Sequence, residues 1–67
     1  MSRLKYIRTK RGYSQSKLAE LSGIGVRIIQ SYEQGARDIN LAQAITVYKL
    51  AHALQCNIEE LLEGDAL

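Results

Sequence analysis

The 67-residue sequence is long enough for one small domain, and its 46% hydrophobic and 24% charged residues are typical of an ordered globular chain. It has no apolar run that could span a bilayer and no signal-peptide pattern at its start. One cysteine and one histidine exclude an internal disulfide and form no metal cluster or catalytic pair with the scattered carboxylates. We therefore expect a cytoplasmic, non-enzymatic domain over residues 1–67, with its core in 3–63, that needs no cofactor, metal, small-molecule ligand or membrane.

Charge is distributed unevenly along the chain. Residues 1–37 carry eight Lys and Arg against two Glu, a net charge of +6, whereas residues 38–67 carry one Lys against five acidic residues, a net charge of −4. A basic half favours a polyanionic partner. The alternative is that charged helices only keep a small domain in solution.

The first half of the chain predicts three helices in close succession. Helix 1 is predicted over about Arg3–Arg11, with Ser2 as its N-cap. Helix 2 begins after Ser14, which is a good N-cap residue, and helix 3 covers Val26–Gln34. Only residues 23–25 lie between helices 2 and 3, so the chain must turn sharply there.

Helix 3 has two unlike faces when its residues are placed at 100° intervals. Ile28, Ile29 and Tyr32 form the inner face, and Glu33 lies at its border. The outer face is mostly polar and consists of Val26, Arg27, Gln30, Ser31 and Gln34. Its amides, hydroxyl and guanidinium are the groups that read base edges in a DNA major groove.

The second half predicts two more helices. Helix 4 is predicted from an Asn40 N-cap, with Gln43 completing a capping box, to about Leu54. Its core stripe is predicted to be Ala44, Val47, Leu50, Ala51 and Leu54. Helix 5 is predicted over about Ile58–Glu63, behind a capping box of Asn57 and Glu60, and residues 65–67 are predicted to fray. No stretch alternates like a strand, so the fold class is all-α with five helices.

The same phrases resemble a known family. They are YSQSKLAELSG, SYEQG and KLAHALQCNIEELL, together with Ala19 in helix 2, Gly23 and Ile24 in the turn and Ile29 in helix 3. This pattern resembles the Cro and lambda-type repressor family, the Xre-like helix-turn-helix, from Leu4 to Leu62. The resemblance implies a five-helix lambda-repressor-like domain whose helices 2 and 3 form a helix-turn-helix. It also implies a transcriptional repressor of a bacterium, phage or mobile element that binds a double-stranded DNA operator. Because one small domain offers few base contacts, we expect it to bind as a homodimer.

The resemblance also implies individual roles. The positions that face base edges are Val26, Arg27, Gln30 and Ser31. The positions that meet the phosphate backbone are Ser14, Gln15, Lys17, Gln34 and Arg37. Arg8 and Glu33 match a pair that forms an internal salt bridge between helices 1 and 3. Arg27 is the best candidate for a paired contact to guanine, with a phosphate contact as the open alternative.

One segment departs from the family pattern. The chain between Gly35 and helix 4 is about three residues longer than usual, which leaves Ile39, Leu41 and Ile45 without an assigned place in the core. They either cover the domain or form a dimer contact. Val26, Ile39, Ile45 and the acidic C-terminal end favour a second hypothesis, in which the chain is a protein-interaction module such as an antitoxin or a partner-binding component.

Overall fold

The computed structural model describes residues 2–64, which contain four α-helices and two 3₁₀ helices and no strand. The α-helices are α1 (Arg3–Lys10), α2 (Gln15–Ser22), α3 (Val26–Gln34) and α4 (Ala44–Leu54), and the 3₁₀ helices are Ile39–Leu41 and Ile58–Leu61. The predicted all-α class is confirmed. The predicted fraying of residues 65–67 lies outside the described residues. None of the helices in residues 2–64 combines the length and apolar character needed to cross a membrane.

The first three helices begin and end at local signals. Ser2 Oγ accepts the backbone N–H of Lys5 at 3.1 Å, and Ser14 Oγ accepts that of Lys17 at 2.9 Å. Each bond satisfies a donor that the first turn of a helix leaves free. Gly23 ends α2 with a φ of 76°, a left-handed conformation that a residue with a Cβ adopts at a cost. The predicted bounds of α3 are confirmed.

The predicted start of helix 4 is wrong. Asp38, not Asn40, is the capping residue: its Oδ1 accepts the backbone N–H of Asn40 at 2.9 Å and starts the 3₁₀ helix Ile39–Leu41. The α-helix begins only at Ala44, behind Gln43, whose side chain makes no capping hydrogen bond. Ala44, predicted in the core stripe, is exposed, and the buried stripe of α4 begins only at Val47.

The Asn40 side chain has a different partner. Its Nδ2 donates to the Glu63 carbonyl at 2.9 Å, and its Oδ1 accepts the Glu63 backbone N–H at 2.8 Å. The Arg3 backbone N–H donates to the Glu63 carboxylate at 3.1 Å. Asn40 and Arg3 therefore attach the C-terminal segment to the loop before α4 and to the start of α1.

The prediction of a fifth α-helix is also wrong. The capping box of Asn57 and Glu60 is present, but the segment is a 3₁₀ helix over Ile58–Leu61 and the chain becomes extended at Leu62. The short turn suffices to place Leu61 in the core. The extended backbone then brings Glu63 to Asn40, which a continued α-helix would not do.

The core lies where all these elements meet. The fully buried side chains are Leu4, Leu18, Ile29, Leu50, Leu54 and Leu61. Helix α2 packs against α3 and α4, while α1 packs against α3 and the second 3₁₀ helix. Of the three residues without an assigned place, Ile39 is buried, but Leu41 is 83% and Ile45 54% exposed.

Candidate nucleic-acid interface

Helices α2 and α3 form a compact two-helix unit. Ala19 and Ile24 pack against the core from α2 and from the turn, and the buried residues of α3 are Ile29 and Tyr32. Because these contacts fix the inner side of α3, its opposite side faces outward. The fold therefore presents the polar face that the helical spacing predicts.

The predicted base-reading residues lie along this outer side and differ in their exposure to solvent. Arg27 is exposed, while Val26, Gln30 and Ser31 are half-buried. The Ser31 hydroxyl donates to the Ile28 carbonyl at 2.7 Å. Its hydrogen is therefore used within the helix, and the oxygen is left as an acceptor for an outside donor.

The predicted phosphate-binding residues lie at the two ends of the unit. Ser14, Gln15 and Lys17 are at the start of α2, where free backbone N–H groups and the helix dipole favour an anion. Lys17 is exposed, and its Nζ lies 3.5 Å from the Glu20 carboxylate. At the other end of the unit, Gln34 and Arg37 are exposed. The Arg37 backbone N–H donates to the Ser31 carbonyl at 3.1 Å, which holds this loop against α3.

Arg8 and Glu33 form the predicted ion pair between α1 and α3. Arg8 Nε lies 2.7 Å from Glu33 Oε2, and Arg8 Nη2 lies 3.0 Å from Glu33 Oε1. The third guanidinium nitrogen, Nη1, donates to the Tyr13 carbonyl at 2.7 Å. The two side chains are only 10% and 3% exposed. This bidentate pair joins α1 to α3, and the third bond of Arg8 joins α1 to the turn before α2.

Two glutamines extend the hydrogen bonds of this ion pair to the outer face of α3. Gln15 Nε2 donates to Glu33 Oε1 at 2.9 Å, and Gln30 Nε2 donates to Gln15 Oε1 at 3.2 Å. The structure thus joins Arg8, Glu33, Gln15 and Gln30 in one hydrogen-bonded chain. The sequence predicted the pair of Arg8 and Glu33 but gave Gln15 and Gln30 separate roles. Their connection to that pair was missed, because no spacing in the sequence indicates it.

The Glu33 carboxyl is held in its ionised form. Burial would raise its pKa, but the hydrogen bonds from Arg8 and Gln15 and the positive charges of Arg8 and Lys5 outweigh burial. The pKa of Glu33 therefore lies below its usual value. At neutral pH the carboxylate can only accept hydrogen bonds.

The described part of the chain also contains side chains of metal-ligating types and a single thiol. Residues 2–64 contain no group of three His, Cys, Asp or Glu side chains that could hold a metal ion. Burial and the nearby Glu60 carboxylate raise the pKa of the half-buried Cys56 thiol, against the opposing charge of Arg11. A thiol with a raised pKa is a poor nucleophile at neutral pH.

Comparison with known proteins agrees with this geometry. Residues 4–61 match the helix-turn-helix family, and the chain belongs to its Cro/C1 type, a family of DNA-binding transcriptional regulators. The chain is similar to the restriction-modification controller protein C.AhdI from Aeromonas hydrophila. The two sequences are 37% identical over 90% of this chain and 86% of that chain, and the structures superpose with a TM-score of 0.79. No match was found among curated proteins.

Proposed function

We propose that this protein is a repressor-type transcriptional regulator that binds double-stranded DNA as a homodimer, with α3 of each copy in the major groove. The observation that carries this proposal is the outer face of α3. The helix buries Ile29 and Tyr32 and leaves Arg27 exposed beside the half-buried Gln30 and Ser31. Similarity to a restriction-modification controller supports a regulatory role.

Two kinds of contact are expected at this interface. Arg27 has the paired N–H groups that recognise guanine O6 and N7, and the Val26 side chain can pack on a thymine methyl. Ser14, Gln15, Lys17, Gln34 and Arg37 would meet phosphates. Those contacts place α3 in the groove and add affinity without reading sequence.

Paired substitutions test this division. Arg27→Ala should change the preferred sequence, because it removes a base contact worth about 1–3 kcal/mol of discrimination. Lys17→Ala should weaken binding to all DNA sequences alike. It should also reduce the slope of log affinity against log salt concentration by about the contribution of one phosphate contact. Lys49→Ala, which removes an exposed lysine on α4 outside the proposed interface, is the charge-matched control. If Arg27→Ala and Lys17→Ala have the same effect, the assigned roles are wrong.

An exposed apolar stripe supports the homodimer. Leu41 ends the 3₁₀ helix before α4, and Ile45 and Tyr48 lie three residues apart on one side of α4. They are 83%, 54% and 52% exposed. One small domain offers few base contacts, so two copies on a two-fold-related site would supply the missing specificity. We place the dimer contact on these three residues.

Mass measurement tests the dimer surface. Ile45→Glu should convert the protein to a monomer in light scattering and weaken binding to a two-half-site duplex more than to a half-site. Ile58→Glu alters an isoleucine that is 38% exposed on the second 3₁₀ helix and should leave the dimer intact. The opposite pattern would place the dimer contact at the second 3₁₀ helix.

The same stripe favours the second candidate function, a protein-interaction module. A different protein that covers Leu41, Ile45 and Tyr48 would co-purify in a fixed ratio. In that case the wild-type protein would be a monomer on its own, and Ile45→Glu would release the partner. A wild-type dimer that retains DNA at low salt would exclude this candidate.

A further inference from the structure

The hydrogen-bonded chain from Arg8 to Gln30 has a direction. Its first acceptor, the Glu33 carboxylate, lies against the buried Arg8 guanidinium and has no hydrogen to donate at neutral pH. The Gln15 amide group that faces Glu33 must therefore be the N–H₂ end, as the 2.9 Å contact from Nε2 to Oε1 shows.

This choice fixes the next residue as well. With its nitrogen toward Glu33, Gln15 points its carbonyl oxygen at Gln30. Gln30 must then offer its own N–H₂ end, at 3.2 Å. Turning the Gln30 amide around would bring two carbonyl oxygens together and lose a hydrogen bond. The buried ion pair thus determines how Gln30 is oriented at the outer face of α3.

We propose that Gln15 is a specificity-positioning residue: it transmits the acceptor character of Glu33 to Gln30, so that Gln30 reads adenine in preference to guanine. This inference rests on the proposed DNA-binding function. It assigns base discrimination to Gln15 and Glu33, neither of which needs to touch a base.

The chemistry of the base edges gives the preference. After bonding to Gln15, Gln30 retains its carbonyl oxygen and one N–H. Adenine offers the complementary pair in the major groove, the N6 amine as donor and N7 as acceptor. Guanine offers two acceptors, O6 and N7, and one of them would face the Gln30 carbonyl oxygen. Gln15 also keeps one N–H, so a phosphate contact from Gln15 is compatible with this role.

The test compares two duplexes that differ at one base pair. Gln30→Met first identifies the base pair that Gln30 reads, as the position where selectivity disappears. The wild-type protein should prefer A·T over G·C there, with adenine on the strand that Gln30 faces. Gln15→Met, which keeps the length of the side chain, should lower that preference about fivefold, the factor that one hydrogen bond of typical net strength contributes.

A matched glutamine provides the control. Gln34 is exposed on the same helix and has a proposed phosphate contact. Gln34→Met should weaken binding to both duplexes equally and leave their ratio unchanged. If Gln15→Met behaves in the same way, Gln15 only binds phosphate and the proposal is overturned. Selection of guanine at the Gln30 position, or no effect of Gln30→Met at any position, would also overturn it.

Different results would contradict the proposed function and this inference. A wild-type protein without sequence preference at any position contradicts the proposed function itself, whereas an unchanged ratio in Gln15→Met contradicts only this inference. An NMR measurement on the wild type needs no substitution. The side-chain amide protons of Gln15 should exchange with water more slowly than those of Gln34, and equal rates would contradict the hydrogen-bonded chain.

Discussion

Removal of the Glu33 carboxylate should destabilise the protein more than any surface substitution. The carboxylate accepts three hydrogen bonds, two from Arg8 and one from Gln15. Glu33→Ala leaves the Arg8 guanidinium, whose side chain is 10% exposed, with the Tyr13 carbonyl as its remaining partner. Breaking a buried pair from one side costs about 3–5 kcal/mol.

That loss is large for a chain of 67 residues. Proteins of this size have a total stability of about 3–10 kcal/mol. Each kcal/mol corresponds to about 4–8 °C in the unfolding temperature. Thermal unfolding followed by circular dichroism should therefore show Glu33→Ala melting at least about 12 °C below the wild type, or unfolded at room temperature.

Two further variants separate charge burial from simple loss of contacts. Glu20→Ala removes the exposed partner of Lys17 and should change stability by less than about 0.5 kcal/mol. The double variant Arg8→Met with Glu33→Leu replaces both charges with apolar groups and should be more stable than Glu33→Ala. A loss below about 1 kcal/mol in Glu33→Ala, or a double variant that is less stable than the single one, would refute the reasoning.

The remaining predictions concern pH, the C-terminal segment and the thiol. Because the pKa of Glu33 is lowered in the folded state, its carboxylate contributes fully to stability above the usual carboxyl pKa. This contribution is lost as the pH falls through the lower folded-state pKa. The free energies of unfolding of the wild type and Glu33→Ala, measured in urea, should therefore approach each other at acid pH. Asn40→Ala removes both hydrogen bonds to the Glu63 backbone and should cost about 1–3 kcal/mol in urea unfolding, and an unchanged midpoint would contradict that role. Cys56 should react with a thiol reagent more slowly in the native protein than in urea, because burial raises the pKa of the thiol, and equal rates would contradict its half-buried position.

The elements that could be predicted from sequence are those with local causes. Ser2 and Ser14 cap their helices through N–H groups three residues away, and Gly23 ends α2 by adopting its own left-handed conformation. Such signals lie within one helical turn and are visible in the sequence. The bounds of α3 and the all-α class were predictable for the same reason.

The errors have long-range causes. Asn40 looks like a helix cap, but its side chain bonds to Glu63, 23 residues away. The position of Leu61 depends on a core assembled from every other helix, and a short 3₁₀ turn is enough to bury it. Local sequence patterns could not show that residues 39–41 and 58–61 would form 3₁₀ helices instead of α-helices.

The residues that line the outer face of α3 could be predicted from the sequence, whereas the hydrogen bonds that connect them could not. The helical spacing indicated the outer face of α3, and the family resemblance indicated the pairing of Arg8 with Glu33. The bonds that join Gln15 to Glu33 and to Gln30 depend on how closely α2 packs against α3. That packing distance follows from side-chain fit in three dimensions, which a single sequence does not encode in any spacing.

The most direct test of the proposed function is selection of binding sites from a library of randomised DNA duplexes by the wild-type protein. The proposal predicts one enriched sequence composed of two symmetric half-sites about one helical turn apart. Enrichment should weaken as salt concentration rises. Recovery of the library without any preferred sequence, at salt concentrations where the protein is folded, would contradict the claim that α3 reads DNA.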